Sequence, residues 1–359
     1  MLCRGMKVFA GSSVLFALLC LLTSECWAQA LRSCEDYFKR AMTRLDKGDH
    51  DGAISDFEKA IEALTCLAPQ SGKGAGDCAS GVRAIDPRAA GIWNNRAMVW
   101  FAKGDYEAAI RDLNRALALN PRLDMAWHNR GLVRRELGDL NAALTDYDRC
   151  LRLNPRKYEA WHSRGIVRFD QGDYSAALRD FDRAIELKKN FAEAWNGRGL
   201  ALHSLGQEDE ALTAFNRCLQ FRPQLGAAFS NRGNAWRAKG QLALAIADLD
   251  KAVELDPQTA GNWNNRANLR FQLGDLAGAE ADYNEAAKLR PTALIFNNRG
   301  LLKQAAQRFA EALEDFSRAI EFNPQFAAAY ENRSKLLRQL GRESEATRDL
   351  AESERLQPF

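Results

Sequence analysis

The sequence predicts an all-α solenoid of nine helix-turn-helix units, and three observations predict it. A period of 33 or 34 residues runs from Cys34 to Phe359, apolar and aromatic residues recur at helical spacing within each period, and glycine stands near the middle of most of them. The units begin at Cys34, Ala90, Asp124, Tyr158, Ala192, Gly226, Ala260, Ala293 and Ala327; seven units of 34 residues, two of 33 and one insertion of 22 account for the whole stretch.

Each position in the unit has a physical reason. The fourth is aromatic in all nine, from Tyr37, Trp93 and Trp127 through to Tyr330, and is expected beside the twenty-fourth, where Phe181, Phe215 and Phe316 stand. The eighth is small, as in Gly131, Gly165 and Gly199, and the twentieth is Ala in every unit, so that two antiparallel helices approach closely. An Ala177→Leu change is therefore expected to overpack a helix pair at a cost of about 1–3 kcal/mol. Gly104, Gly138, Gly172 and Gly206 at the fifteenth position supply the left-handed residue that ends the first helix, and Asp105, Asp139 and Asp173 beside them are placed to cap the second. One unit cannot bury its own apolar face, whereas stacked neighbours can. The last unit carries Thr347, Ser353 and Glu354 at positions mostly apolar elsewhere and is read as a polar cap.

In this register, over residues 34–359, the chain resembles the tetratricopeptide repeat family. The resemblance implies a right-handed superhelical solenoid whose first helices line a concave groove with positions two, five, six, nine, twelve and thirteen. One departure is systematic. Position seven, usually Leu in the family, is Arg in all nine units: Arg40, Arg96, Arg130, Arg164, Arg198, Arg232, Arg266, Arg299 and Arg333. Eight units carry Asp at position twenty-three, namely Asp56, Asp112, Asp146, Asp180, Asp248, Asp282, Asp315 and Asp349. An unpaired guanidinium at a packing position is costly, so a ladder of ion pairs is expected. Unit five has Ala214 in place of the acid. Pairing within a unit would orphan Arg198, and pairing to the preceding unit would orphan Arg232.

The first thirty residues read as a secretory signal. Arg4 and Lys7 precede an apolar run from Val8 to Leu22, and Ala28 and Ala30 offer alternative cleavage positions. The expected location is periplasmic or otherwise secreted, with no stable membrane insertion after cleavage, since no later stretch approaches 18 consecutive apolar residues. The organisation is then residues 1–30 as signal, 31–89 as a first repeat with its glycine-rich insertion, and 90–359 as eight further repeats. Cys66 and Cys78 flank the insertion's glycines; a disulfide between them, or between Cys34 and either, is open. Cys150 and Cys218 occupy a position otherwise Ala or Ser and read as small buried residues.

Chemistry is sparse. A composition 46 % apolar and 27 % charged, with net charge +3, excludes a dedicated nucleic-acid surface. No Ser-His-Asp, HExxH or CxxC pattern occurs, and the run from Ser71 to Gly76 lacks the phosphate-loop spacing, so neither enzyme activity nor a cofactor is expected. On the groove map His128, His162 and His203 face inward. Equivalent positions on packed helices stand roughly 8–10 Å apart, too far to share an ion that needs ligands at about 2.0–2.1 Å. No metal site is expected, and their titration would make binding pH-sensitive.

The strongest functional signal is a row of amides. Position six is Asn in six units (Asn95, Asn129, Asn231, Asn265, Asn298 and Asn332), and position five adds Asn94, Asn196, Asn264 and Asn297. Amides at the repeat spacing can pair with the main chain of an extended peptide whatever its side chains, and the row is similar to the asparagine ladder of the O-linked N-acetylglucosamine transferases. Equally, Asn can be an ordinary residue of the repeat. Glu136, Glu159, Asp170 and Glu193 in the middle, with Arg237, Lys335 and Arg338 further on, would suit a ligand with a basic centre and an acidic flank. The carboxylate-clamp pattern of chaperone co-factors is incomplete. The expected function is a non-enzymatic scaffold binding a protein or peptide segment in the groove. The alternative is an assembly factor of a cell-envelope complex docking through the convex face or the insertion.

Overall fold

The computed structural model describes the backbone of residues 11–65 and 89–356 and the side chains of 29–64 and 89–356. Cys66, Cys78 and the glycine-rich insertion lie outside the described residues, and with them the disulfide expectation. Among the described residues the chain is all-α, with eighteen helices and no strand. It divides into two compact units, Met1–Val167 and Arg168–Phe359.

In the first unit α1 (Gly11–Asp46) pairs with α2 (His50–Thr65), α3 (Ala90–Lys103) with α4 (Tyr106–Leu119), and α5 (Asp124–Glu136) with α6 (Leu140–Leu153); the unit boundary falls inside α7 (Tyr158–Asp170). The second unit continues with α8 (Tyr174–Leu187). Its pairs are α9 (Ala192–Ser204) with α10 (Glu208–Phe221), α11 (Gly226–Ala238) with α12 (Leu242–Leu255), and α13 (Ala260–Gln272) with α14 (Leu276–Leu289). Two more follow, α15 (Ala293–Ala305) with α16 (Phe309–Phe322) and α17 (Ala327–Gln339) with α18 (Glu343–Leu356). Odd-numbered helices are the first of each repeat. Helix α1 runs without a break from Gly11 through Ala28 and Ala30, and among the described residues no helix is long and apolar enough to cross a membrane.

Close approach of the paired helices follows from their small residues. Ala53, Ala109, Ala143, Ala177, Ala211, Ala245, Ala279, Ala312 and Ala346 are all fully buried. A Cβ on Gly131 would stand 2.6 Å from the Tyr147 ring, and one on Gly199 only 2.4 Å from the Phe215 ring, so position eight is glycine because position twenty-four of the same repeat is a ring pressed against it. The position-four tryptophans add a tether: Trp127, Trp161 and Trp263 each donate from Nε1 to the carbonyl of the proline six residues earlier, at 2.8–2.9 Å.

Gly104 (φ +81°) and Gly138 (φ +82°) end their helices in the left-handed region, and Asp105 and Asp139 accept from the amides of Ala108 and Ala142 at 2.9 and 3.1 Å. The eighth repeat places Gln307 in this turn, with φ +60° and no glycine to relieve the strain. The last repeat departs from the polar-cap expectation at one residue. Thr347 and Glu354 are exposed, but Ser353 is buried, because it occupies the small inward position held by Cys150 and Cys218 in earlier repeats. Burial pushes those two thiols up, to about 12 and about 11, which keeps them protonated and inert.

Candidate peptide-binding face

Two polar systems run along the first helices, and their geometry separates them. The first is built on position seven. In all nine repeats the arginine guanidinium lies over the position-four ring, 4.6–5.9 Å from its centroid. Arg96, Arg130, Arg232, Arg266 and Arg333 each grip the position-twenty-three aspartate of their own repeat with Nε and Nη2, at 2.7–2.9 Å. Arg40 and Arg299 do the same with Asp56 and Asp315. The hydrogen bond from Arg40 holds the Asp56 carboxyl below its usual range, and that to Asp282 raises Arg266.

The third nitrogen reaches backwards. Nη1 of Arg130, Arg232, Arg266 and Arg299 donates to Asn114, Asn216, Asp250 and Asn284, each at position twenty-five of the preceding repeat, at 2.6–2.8 Å. The ladder therefore pairs both within and between repeats, and neither Arg198, the orphan of within-unit pairing, nor Arg232, the orphan of pairing to the preceding unit, is left alone. With Ala214 in place of its own acid Arg198 takes Asp182 of the preceding repeat through Nε at 2.7 Å. Sequence reasoning also missed a second cation. At position eleven Arg134, Arg168 and Arg270 reach Asp146, Asp180 and Asp282 at 2.8–3.0 Å, and Lys303 reaches Asp315 at 2.8 Å. The signal was present as a basic residue one helical turn after the repeat's arginine.

The second system is the row of amides. Position six of one repeat donates from Nδ2 to position five of the repeat before it: Asn129 to Asn94 at 2.9 Å, Asn231 to Asn196 at 3.0 Å, Asn265 to Ser230 Oγ at 3.0 Å, Asn298 to Asn264 at 3.2 Å and Asn332 to Asn297 at 2.9 Å. His128 Nε2 and Ser163 Oγ, 3.2 Å apart, make the same rung from different residues. Asn95 accepts instead from its neighbour Asn94, because position five of the preceding repeat is Phe38. In the rungs at Asn94, Asn264 and Asn297 the position-five amide is buried; every position-six Asn is half-buried. At Asn231, Asn265 and Asn332 the rung consumes one N–H, which leaves a second N–H and the carbonyl oxygen. The row thus staples adjacent first helices and leaves a donor and an acceptor on these amides unspent.

The histidines divide. Burial, more than the nearby Lys157 cation, lowers His128 to about 4, so that it is neutral at ordinary pH; the pH-sensitive binding expected of it is corrected accordingly. His203 Nδ1 sits 2.8 Å from the Glu208 carboxylate. His162 is half-buried and engaged. The charges expected to draw a ligand are mostly answered internally: Glu136 by Arg135, Glu193 by Arg222, Lys335 by Glu331 and Arg338 by Glu343.

Stacked helix pairs with a polar row along their first helices define a repeat scaffold of the protein-interaction type. Tetratricopeptide repeat models match residues 37–63, 90–123, 128–188, 162–225, 260–293 and 293–326, and a further TPR repeat model matches 233–274. The chain belongs to the tetratricopeptide repeat family. Among solved structures it is similar to a tetratricopeptide repeat protein from Parabacteroides merdae ATCC 43184, at 22 % identity and a TM-score of 0.59 over 76 % of this chain and 99 % of that one. It is also similar to a chain of the APC/C hetero-tetramer Cut9-Hcn1, at 15 % identity and a TM-score of 0.59 over 90 % of this chain and 74 % of that one. These likenesses are of fold. No curated protein matches the chain.

Proposed function

We propose that the chain is a non-enzymatic scaffold that holds an extended segment of a partner protein against the first-helix face. The observation that carries this reading is the unspent N–H and carbonyl oxygen of the amides at Asn231, Asn265 and Asn332. A side-chain amide offers a donor and an acceptor that match a main-chain peptide group, and rungs locked to their neighbours lose little entropy on binding. A segment of many sequences fits such a face. The signal-like residues 1–30 support a site of action in the periplasm or another secreted location.

The experiment is capture from envelope extract with residues 31–359, beside a variant with Asn231, Asn265 and Asn332 changed to Ala, after circular dichroism and thermal melts have matched the two. Loss of a specific partner in the variant supports the reading. Retention of every partner contradicts it and moves the docking surface to the second helices or the insertion.

A further inference from the structure

Arg237 stands apart from the other arginines. Among the described residues it is the one arginine that is not exposed and for which no hydrogen bond, ion pair or ring contact occurs. It lies in the last turn of α11, at position twelve. The other ionisable residues at that position are answered: Arg135 by Glu136, His203 by Glu208 and Arg338 by Glu343. The difference has a cause in the sequence. Glu208 and Glu343 both occupy position seventeen of their repeats, where the sixth repeat has Leu242.

One turn earlier on the same face of α11, the buried Oδ1 of Asn234 has no hydrogen-bond partner. Its counterpart in the next repeat, Asn268, accepts from the Tyr283 hydroxyl at 2.6 Å and from Asn298 Nδ2 at 3.3 Å. The sixth repeat has Leu249 where the seventh has Tyr283, so Asn234 lacks that donor. Arg237 also acts electrostatically on the buried Tyr283 phenol, which sets its charge beside the amides of the seventh repeat. The buried Asn234 oxygen adds no donor or counter-charge beside Arg237, which is therefore a partly desolvated cation without an internal partner, and leaving such a cation unpaired costs stability.

We propose that Arg237 forms an acid-recognition subsite, in which an aspartate or glutamate side chain of the bound segment pairs with the Arg237 guanidinium. The inference rests on the peptide-binding reading of the face and adds a preference to it. The amide rungs take main chain of any sequence; this subsite fixes the register of the segment by one carboxylate. A planar guanidinium suits that task, since it can meet both oxygens at once.

The test uses the full chain against a displayed library of random dodecapeptides, with Arg237→Gln, Leu242→Glu and the Asn231/Asn265/Asn332→Ala variant selected in parallel. The native chain is expected to enrich peptides with an acid at one fixed place, and Arg237→Gln to lose that enrichment. Leu242→Glu leaves the arginine intact but supplies the internal acid that its sister repeats possess, and it is expected to lose the enrichment too. For a selected peptide, changing its acid to the amide should weaken binding about tenfold or more on the native chain and change it less than about twofold on Arg237→Gln. Peptides that need the rung asparagines but show no acid overturn the subsite and leave the groove reading standing. Enrichment that is unchanged in the rung variant, or no enrichment at all, overturns the groove reading and the subsite with it.

Discussion

The guanidinium seam and the amide row repeat with the same period on the same helices, yet they end in opposite states. In the seam, Arg130 gives three nitrogens to Asp146 and Asn114 and its face to Trp127. All three nitrogens are engaged and the side chain is only 13 % exposed, so the system ties a repeat to the one before it. In the row, Asn231 gives one N–H to Asn196 and retains the rest of its amide at a half-buried position. Both series recur at the repeat spacing in the sequence, the arginine in all nine units and the asparagine in six. On the proposed function, what separates the structural series from the binding series is the bonding capacity that packing leaves unspent.

The comparison breaks most readily at the seam. Asp146 is fully buried and answers both Arg130 and Arg134, so Asp146→Ala should destabilise the chain by about 3–5 kcal/mol in urea unfolding. Arg130→Leu should approach that cost, whereas Arg198→Leu, which lacks the buried acid of its own repeat and leans on the half-exposed Asp182, should cost about 1 kcal/mol or less. Equal losses from the two arginines would contradict the account of the seam.

Next in size is the one rung that titrates. A His128 lowered from 6.5 to about 4 favours the neutral ring in the folded state. Its contribution is complete above pH 6.5, declines as pH falls towards 4 because the unfolded chain takes up the proton first, and at about 1.4 kcal/mol per pH unit amounts to roughly 3 kcal/mol. Stability measured between pH 7 and 4 should show this slope, and His128→Asn should remove it while keeping a rung. Smaller still, Asn265→Ala should cost about 1 kcal/mol through its lost bond to Ser230. Its larger effect should be on ligand binding. Smallest is Gln307→Gly, which removes a left-handed side chain and should leave the melting point unchanged or raise stability by up to about 1 kcal/mol.

Much of the fold was readable because the period is short and strict. Glycine at position fifteen, alanine at twenty and aspartate at sixteen each answer a local demand of helix ending, helix approach or capping, and local demands are written along the chain. The site was harder. That Asn129 would spend an N–H on Asn94, 35 residues away, depends on how far one first helix is rotated against the next, and no spacing within a unit states it. Ser353 misled for a related reason: a polar residue at a chain end reads as surface, but its position in the repeat turns it inward. Arg237 was noted only as one charge among several, since its lack of a partner emerges from the absence of an acid at Leu242 and is visible only beside the sister repeats.

The central claim, that the first-helix face is the binding surface, is met most directly by site-specific photo-crosslinking of the captured partner. A photoreactive residue would replace exposed Ser204, Ala238 or Gln272 at the ends of first helices, or exposed Arg217 or Ala247 on second helices. Crosslinks from the first set and none from the second are predicted. Crosslinks confined to Arg217 and Ala247 would contradict the claim and assign the amide row to helix stapling alone.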